Sequence, residues 1–220
     1  MELRCSAFLF DLDGVLVDSR AVVARVCRLW AQRHGLDPEK VLRIAHGRRS
    51  SDTVRAAAPH LDAEHEAAWI DAVELADIVG LSAVAGSGAL LAALPKARWA
   101  VVTSCGRPLA ERRLTAVGLP IPDVIVTSEE VARGKPAPDG YKLGAKRLGQ
   151  DPAACIVFED APAGIAAARA AGARLIGLTT MVAAGDLAGA DATIPDFTAI
   201  HVRQDRNGFV VTTDDPAVLD

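Results

Sequence analysis

The sequence predicts an α/β protein: a parallel-sheet core with helices on both faces and a helical segment inserted after the first strand. Short apolar runs alternate with longer stretches rich in alanine and leucine, the pattern of repeated strand and helix units. Between residues 18 and 83 that alternation stops and only helical periodicity remains. The first apolar run ends in two aspartates, Asp11 and Asp13, as a strand that delivers polar groups to a sheet edge would.

The candidate strands are Ala7–Phe10, Ala100–Thr103, Val124–Thr127, Cys155–Phe158, Arg174–Leu178 and the short Ala192–Ile194. Polar residues sit just past several of their C-terminal ends, where loops and helix N-termini converge on ligands in open parallel sheets. Within the insert, Val22, Val26, Leu29 and Trp30, and later Trp69, Ile70, Val73 and Leu75, mark helices. A helical cap over the site is expected, with residues 1–17 and 84–220 forming a discontinuous core and 18–83 the cap. In the tail, Asn207-Gly208 between the β-prone His201–Arg203 and Phe209–Val211 suggests a hairpin at a sheet edge. Val84–Gly88, VAGSG, is half of a glycine fingerprint with no strand before it. It reads as a linker returning to the core, with Ser87 capping the next helix.

The chain has 220 residues, half of them hydrophobic, enough for a core domain and a smaller one. A net charge of -4 without a basic run argues against nucleic acid as a main partner. Cys5, Cys27, Cys105 and Cys155 are scattered, without a CxxC pair, and read as reduced thiols used mostly in packing. Asp11 interrupts the N-terminal apolar stretch, and no run approaches the roughly 18 apolar residues of a membrane span. A soluble, cytoplasmic monomer or weak dimer with no membrane partner is expected.

Four carboxylates then have to be accounted for. Asp11 and Asp13 are separated by Leu12 and followed by Gly14, and Glu159 and Asp160 follow the Ala154–Phe158 run at what should be the same sheet edge. At about 4 Å and an effective dielectric of about 20, each like-charge pair costs roughly 4 kcal/mol. Such a cluster needs cations. Lys135, in the stiff Pro136-Ala137-Pro138 setting, and a hard divalent ion such as Mg²⁺ are the candidates.

Four stretches, FDLDGVLVDS, VVTS at Val101–Ser104, GKPAPDGY at Gly134–Tyr141 and VFEDAPAGI at Val157–Ile165, resemble in order the four motifs of the haloacid-dehalogenase superfamily. HGRRSSD at His46–Asp52 and the FEDAPAGIAAARAAGA run are similar to its sugar-phosphate and glycerol-phosphate phosphatases. The resemblance implies a Rossmann-like core and phosphoryl transfer through a phosphoaspartate on Asp11, with Asp13 as leaving-group acid and then water-activating base. It implies phosphate binding by the Thr103 hydroxyl, the Ser104 backbone N–H and Lys135. It also implies Mg²⁺ held by Asp11, the Asp13 backbone carbonyl and Asp160, with Glu159 direct or through water. Glu159-Asp160 would equally suit an N-terminal cap on a helix over Ala163–Ala171. The implied substrate is a small sugar or polyol phosphate, of the 2-deoxyglucose 6-phosphate or glycerol 3-phosphate type.

Arg48 and Arg49 suit either the organic part of a substrate or a solvated helix face. Arg107 is a weaker candidate, and His46 reads as a surface or packing histidine. Dehalogenases of the superfamily lack an aspartate at the place of Asp13, and P-type ATPases carry threonine there and span membranes. β-Phosphoglucomutase, with the same cap type, uses a cap histidine where this chain has Val23 and an arginine where it has Ser50, although Arg49 is adjacent. These departures favour a phosphatase over a mutase. A non-catalytic phosphosugar-sensing module is the remaining alternative.

Overall fold

A computed structural model describes residues 1–213. The chain opens with β1 (Glu2–Cys5), β2 (Ala7–Phe10) and β3 (Val17–Asp18). The helices α1 (Arg20–Arg33), α2 (Pro38–Ala45), α3 (Ser50–Ala57) and α4 (Ala63–Ala76) follow. The chain then returns through β4 (Ser82–Ala83), α5 (Ser87–Ala93), β5 (Trp99–Val102), α6 (Arg107–Ala116) and β6 (Ile125–Val126). Next come α7 (Asp139–Arg147), β7 (Cys155–Glu159), α8 (Pro162–Ala171) and β8 (Arg174–Leu178). The last strands are β9 (Ala192–Ile194), β10 (Ile200–Asp205) and β11 (Gly208–Thr213).

The parallel core is a six-stranded sheet in the order β6-β5-β2-β7-β8-β9, so the α/β reading holds and all six expected strands are present. Strand β2 is central and wholly buried, and its alternation sorts residues by size. Phe8 and Phe10 face one layer with Trp99, Phe158, Phe197 and Phe209, whereas Ala7 and Leu9 face the other with Tyr141, Ala145 and Val157. The rings of Phe10 and Phe158 stack at 5.0 Å and 6°. Gly144 of α7 lies against Val102 and Leu9, so that helix sits close on the small-residue face.

Three expectations can be set against the structure. First, the tail hairpin forms at a sheet edge as expected, β10 being an edge strand, but the sheet is a separate three-stranded antiparallel one in which β11 lies between β1 and β10. Phe209 carries that sheet onto Phe8, 5.1 Å away. Glu2–Cys5 gave no strand signal because only Cys5 of its residues is buried. Second, Ser87 is the first residue of α5 rather than its cap; Gly86, at φ 78°, takes the cap position and the Ser87 hydroxyl donates to the Leu16 carbonyl. Third, the insert is not free of strands. Its ends pair as a two-stranded antiparallel ribbon, Val17 opposite Ala83 and Asp18 opposite Ser82, too short to leave a period-two signal.

Between those ends, α1–α4 enclose their own apolar cluster of Val22, Val26, Trp30, Val41, Val54 and Ile70. Leu29 and Leu75, which contribute to the sequence periodicity, are 52% and 38% exposed; Cys27 and Ala31 complete the buried face of α1 instead. Cys5, Cys27 and Cys155 are free and buried, and burial pushes the Cys5 and Cys27 thiols up to about 12. No helix among the described residues is long and apolar enough to cross a membrane. Truncation of the stacked pair by Phe10→Ala should cost about 3–5 kcal/mol of unfolding free energy in urea. Leu29→Ala, on the exposed side of α1, should stay within about 0.5 kcal/mol.

Candidate active site

The parallel register brings the acidic residues together. Asp11 follows β2 and donates its backbone N–H to the Phe158 carbonyl at 3.0 Å, so it stands beside Glu159 and Asp160 at the end of the neighbouring strand. Asp11, Glu159 and Asp160 are buried, and each offers an oxygen within 4.8 Å of the others. Lys135 Nζ sits among them, 2.8 Å from Asp11 Oδ1 and 2.5 Å from Glu159 Oε1. Burial alone would lower the Lys135 ammonium, but the two carboxylates outweigh it and hold its pKa above the usual lysine value.

Glu159 is the most constrained member. Its Oε1 also accepts from the Tyr141 hydroxyl at 2.8 Å, and its Oε2 accepts from the backbone N–H groups of Asp160 and Ala161. Burial would raise its pKa, yet Lys135 and these donors leave it lowered. The α8 cap is Ala161, with no side-chain bond, so Glu159 reaches the backbone just ahead of the helix rather than capping it. A Cβ on Gly164 would collide with this carboxylate, and one on Gly14, at φ 78°, with that of Asp160.

Burial holds the Asp11 carboxyl well above its usual range, against the pull of Lys135. Asp160 is pushed up to about 6, by burial first and then by Glu159, with a hydrogen bond from the insert opposing the rise. That bond is from His46, whose Nε2 lies 2.9 Å from Asp160 Oδ2. His46 is therefore neither a surface nor a packing histidine: it enters the acidic cluster. The loop signal HGRR was visible, but nothing in the sequence pointed one of its side chains at residue 160.

The all-oxygen, buried and anionic donor set fits a hard divalent cation. Asp160 Oδ1 has no hydrogen-bond partner among the described residues, as a ligand atom kept for such an ion would. The Asp13 side chain turns elsewhere, with Oδ2 2.6 Å from Arg113 Nη1, while Arg113 Nη2 reaches Glu74 of α4 at 2.7 Å. Sequence reasoning missed Arg113 and Glu74. The available signal was spacing, since Leu109, Ala110, Arg113 and Leu114 share the buried stripe of α6.

Above the carboxylates lies a cavity of about 90 Å³ between insert and core. Asp11, Asp13, Thr103 and Ser104 line its core side, and Val23, Trp30, Val41 and Ile70 form an apolar wall from the insert. Thr103 Oγ1 accepts from the Cys105 N–H at 3.2 Å, and Ser104 Oγ donates to the Gly47 carbonyl at 3.0 Å. Of the two arginines, Arg48 lines this cavity, whereas Arg49 Nη2 donates to the Val131 carbonyl at 2.9 Å and fastens the insert to the core. Arg107 lies away from the cavity, donating to the Ile125 carbonyl and pairing with Glu111. Removing the buried cation by Lys135→Met should cost about 3–5 kcal/mol, because Asp11 and Glu159 stay buried without their cationic partner; thermal unfolding in chelator measures it.

The haloacid dehalogenase-like hydrolase family model matches residues 5–172. Over 214 residues the chain is 42% identical to hexitol phosphatase A of Escherichia coli, covering 95% of this chain and 99% of that protein. It is 36% identical over 193 residues to glycerol-1-phosphate phosphohydrolase 2 of Saccharomyces cerevisiae, covering 82% and 77%. The crystal structure of a hydrolase from Pseudomonas syringae matches with a TM-score of 0.80 at 27% identity, over 88% of this chain and 94% of that one. With three buried carboxylates from adjacent parallel strands closed around Lys135, and with phosphatases among its relatives, the chain belongs to the haloacid dehalogenase-like hydrolases and is an enzyme of that family.

Proposed function

We propose that the chain is a Mg²⁺-dependent phosphatase that hydrolyses small sugar or polyol phosphates through a phosphoaspartate on Asp11. The observation that carries this is the buried cluster of Asp11, Lys135, Glu159 and Asp160 beneath a cavity shared with Asp13, Thr103 and Ser104. The names of the E. coli and yeast relatives, a hexitol phosphatase and a glycerol-1-phosphate phosphohydrolase, support the substrate class.

The Asp11 and Asp160 carboxylates and the Asp13 backbone carbonyl would hold Mg²⁺, with Glu159 contributing through water, since its oxygens already accept from Lys135, Tyr141 and two backbone N–H groups. When bound, the ion neutralises charge on the phosphoryl oxygens and on the carboxylates. In the first step an Asp11 oxygen attacks phosphorus and the bond to the alkoxide breaks, the alkoxide taking a proton from Asp13. In the second, Asp13 takes a proton from water, which cleaves the acyl phosphate and regenerates Asp11. Lys135 screens Asp11 against Glu159 and the incoming dianion. The Thr103 hydroxyl and the Ser104 N–H hold the phosphoryl oxygens.

The insert, residues 18–83, serves as the cap. Its apolar wall excludes water during the first step and leaves room for a small organic group. Val23 of that wall puts an aliphatic side chain where the mutase alternative needs a histidine, which favours hydrolysis. Arg48 is the cap group closest in kind to a substrate-binding residue, because it lines the same cavity.

Release of phosphate from a panel of hexitol, 2-deoxyglucose and glycerol phosphates, with para-nitrophenyl phosphate as reference, tests the reading. Wild-type protein should turn over with Mg²⁺ and stop with chelator, and Asp11→Asn should be inactive though folded. A phosphorylated isomer as product would identify a mutase, and no turnover on any member would favour a sensing module. Mg²⁺ at about a hundred times its Kd should add about 2.7 kcal/mol to unfolding free energy. Asp160→Asn should lose most of that gain in a thermal melt.

A further inference from the structure

Arg113 is 3% exposed on the inward stripe of α6, and a guanidinium so placed costs several kcal/mol unless it is paired. Its partners come from two different parts of the molecule. Nη1 meets Asp13, on the turn after β2, at 2.6 Å, and Nη2 meets Glu74, on α4 of the insert, at 2.7 Å. All three side chains line the cavity that Asp11 also lines. Arg113 fixes one oxygen of the Asp13 carboxylate, and the other, Oδ1, is buried without a hydrogen-bond partner among the described residues.

We propose that Arg113 is a positioning residue that fixes the Asp13 carboxylate at the reaction cavity and, through Glu74, makes that fixing depend on the insert being seated on the core. This rests on the phosphatase reading above, in which Asp13 moves the proton. An aspartate beyond a strand end has several staggered side-chain wells open to it, and general acid catalysis needs one of them occupied when the bond breaks. The planar fork of a guanidinium can serve two carboxylates at once in fixed directions, whereas a lysine at the same place is a point charge. Glu74 shares the inward face of α4 with Glu66 and Ile70, so displacing α4 withdraws one of the two anions that orient the fork.

The test uses leaving groups. Para-nitrophenolate departs with little need of a proton, whereas a sugar or polyol alkoxide requires one, so loss of Asp13 alignment should be felt by the alkyl substrate. The ratio of kcat/KM for the best alkyl phosphate of the panel to that for para-nitrophenyl phosphate isolates phosphoenzyme formation. In Arg113→Met this ratio should fall by about tenfold or more, a part of what a positioned acid supplies. Arg113→Lys should recover some of the loss, and Glu74→Gln should give a smaller fall of the same sign. A ratio equal to wild type in Glu74→Gln and Arg113→Lys overturns the proposal, even where both substrates slow equally; these two variants decide the matter if Arg113→Met does not fold. Wild-type protein that cleaves neither substrate with Mg²⁺ removes the phosphatase reading and this proposal with it. An active wild type with an invariant ratio removes only the role of Arg113.

Discussion

The buried ammonium of Lys135 organises the acidic edge of the parallel sheet. Lys135 lies between Asp11 and Glu159, carboxylates that the strand register forces to be neighbours, and without it their proximity would oppose the pairing of the two central strands. Its position is in turn set by Glu159, which no side chain could replace in kind: one oxygen holds Lys135 and Tyr141, the other the turn into α8. Glu159 therefore links the sheet, the Lys135 loop, α7 and α8 at one point. Gly164 lets α8 approach closely enough for this, and any side chain there would displace the carboxylate.

The seam between insert and core has a different character on its two sides. The core side is charged and hydrogen-bonded, while the insert contributes an apolar wall with one indole, edged by polar groups such as His46, Arg48 and Glu74. Trp30, whose Nε1 donates to the buried Glu66 at 2.8 Å, is held as part of that wall. Two polar groups of the insert meet the acidic residues, His46 at Asp160 and Glu74 through Arg113 at Asp13, while Arg49 reaches the Val131 carbonyl. Seating the insert thus adds His46 and Glu74 to an acidic cluster that the register of the core strands already assembles.

Much of this was legible in the chain. The strands of the parallel sheet were readable because each is a short, predominantly apolar run, and the acidic residues stood out because they ended two of those runs. Lys135 could be tied to them by charge alone. What escaped was contact between distant segments. His46 and Glu74 lie on elements whose local pattern says only that they are helix or loop, and their partners are 114 and 39 residues away. Strands β1, β3 and β4 were unread because they are two to four residues long and mostly half-exposed or exposed, which leaves no periodicity to detect. Tyr141, the one tyrosine of the chain, lay inside a recognised motif, but its hydroxyl acquires a role only once β7 is placed beside β2.

The ribbon of β3 and β4 makes the polypeptide enter and leave the helical insert at adjacent points, Val17 opposite Ala83. The whole of α1–α4 is consequently a plug-in unit: its length and lining can be altered without rethreading the strands or shifting Asp11 from Asp160. Such wiring lets selection remodel the helical insert while inheriting the acidic cluster intact, and two pairs of backbone partners are enough to provide that separation.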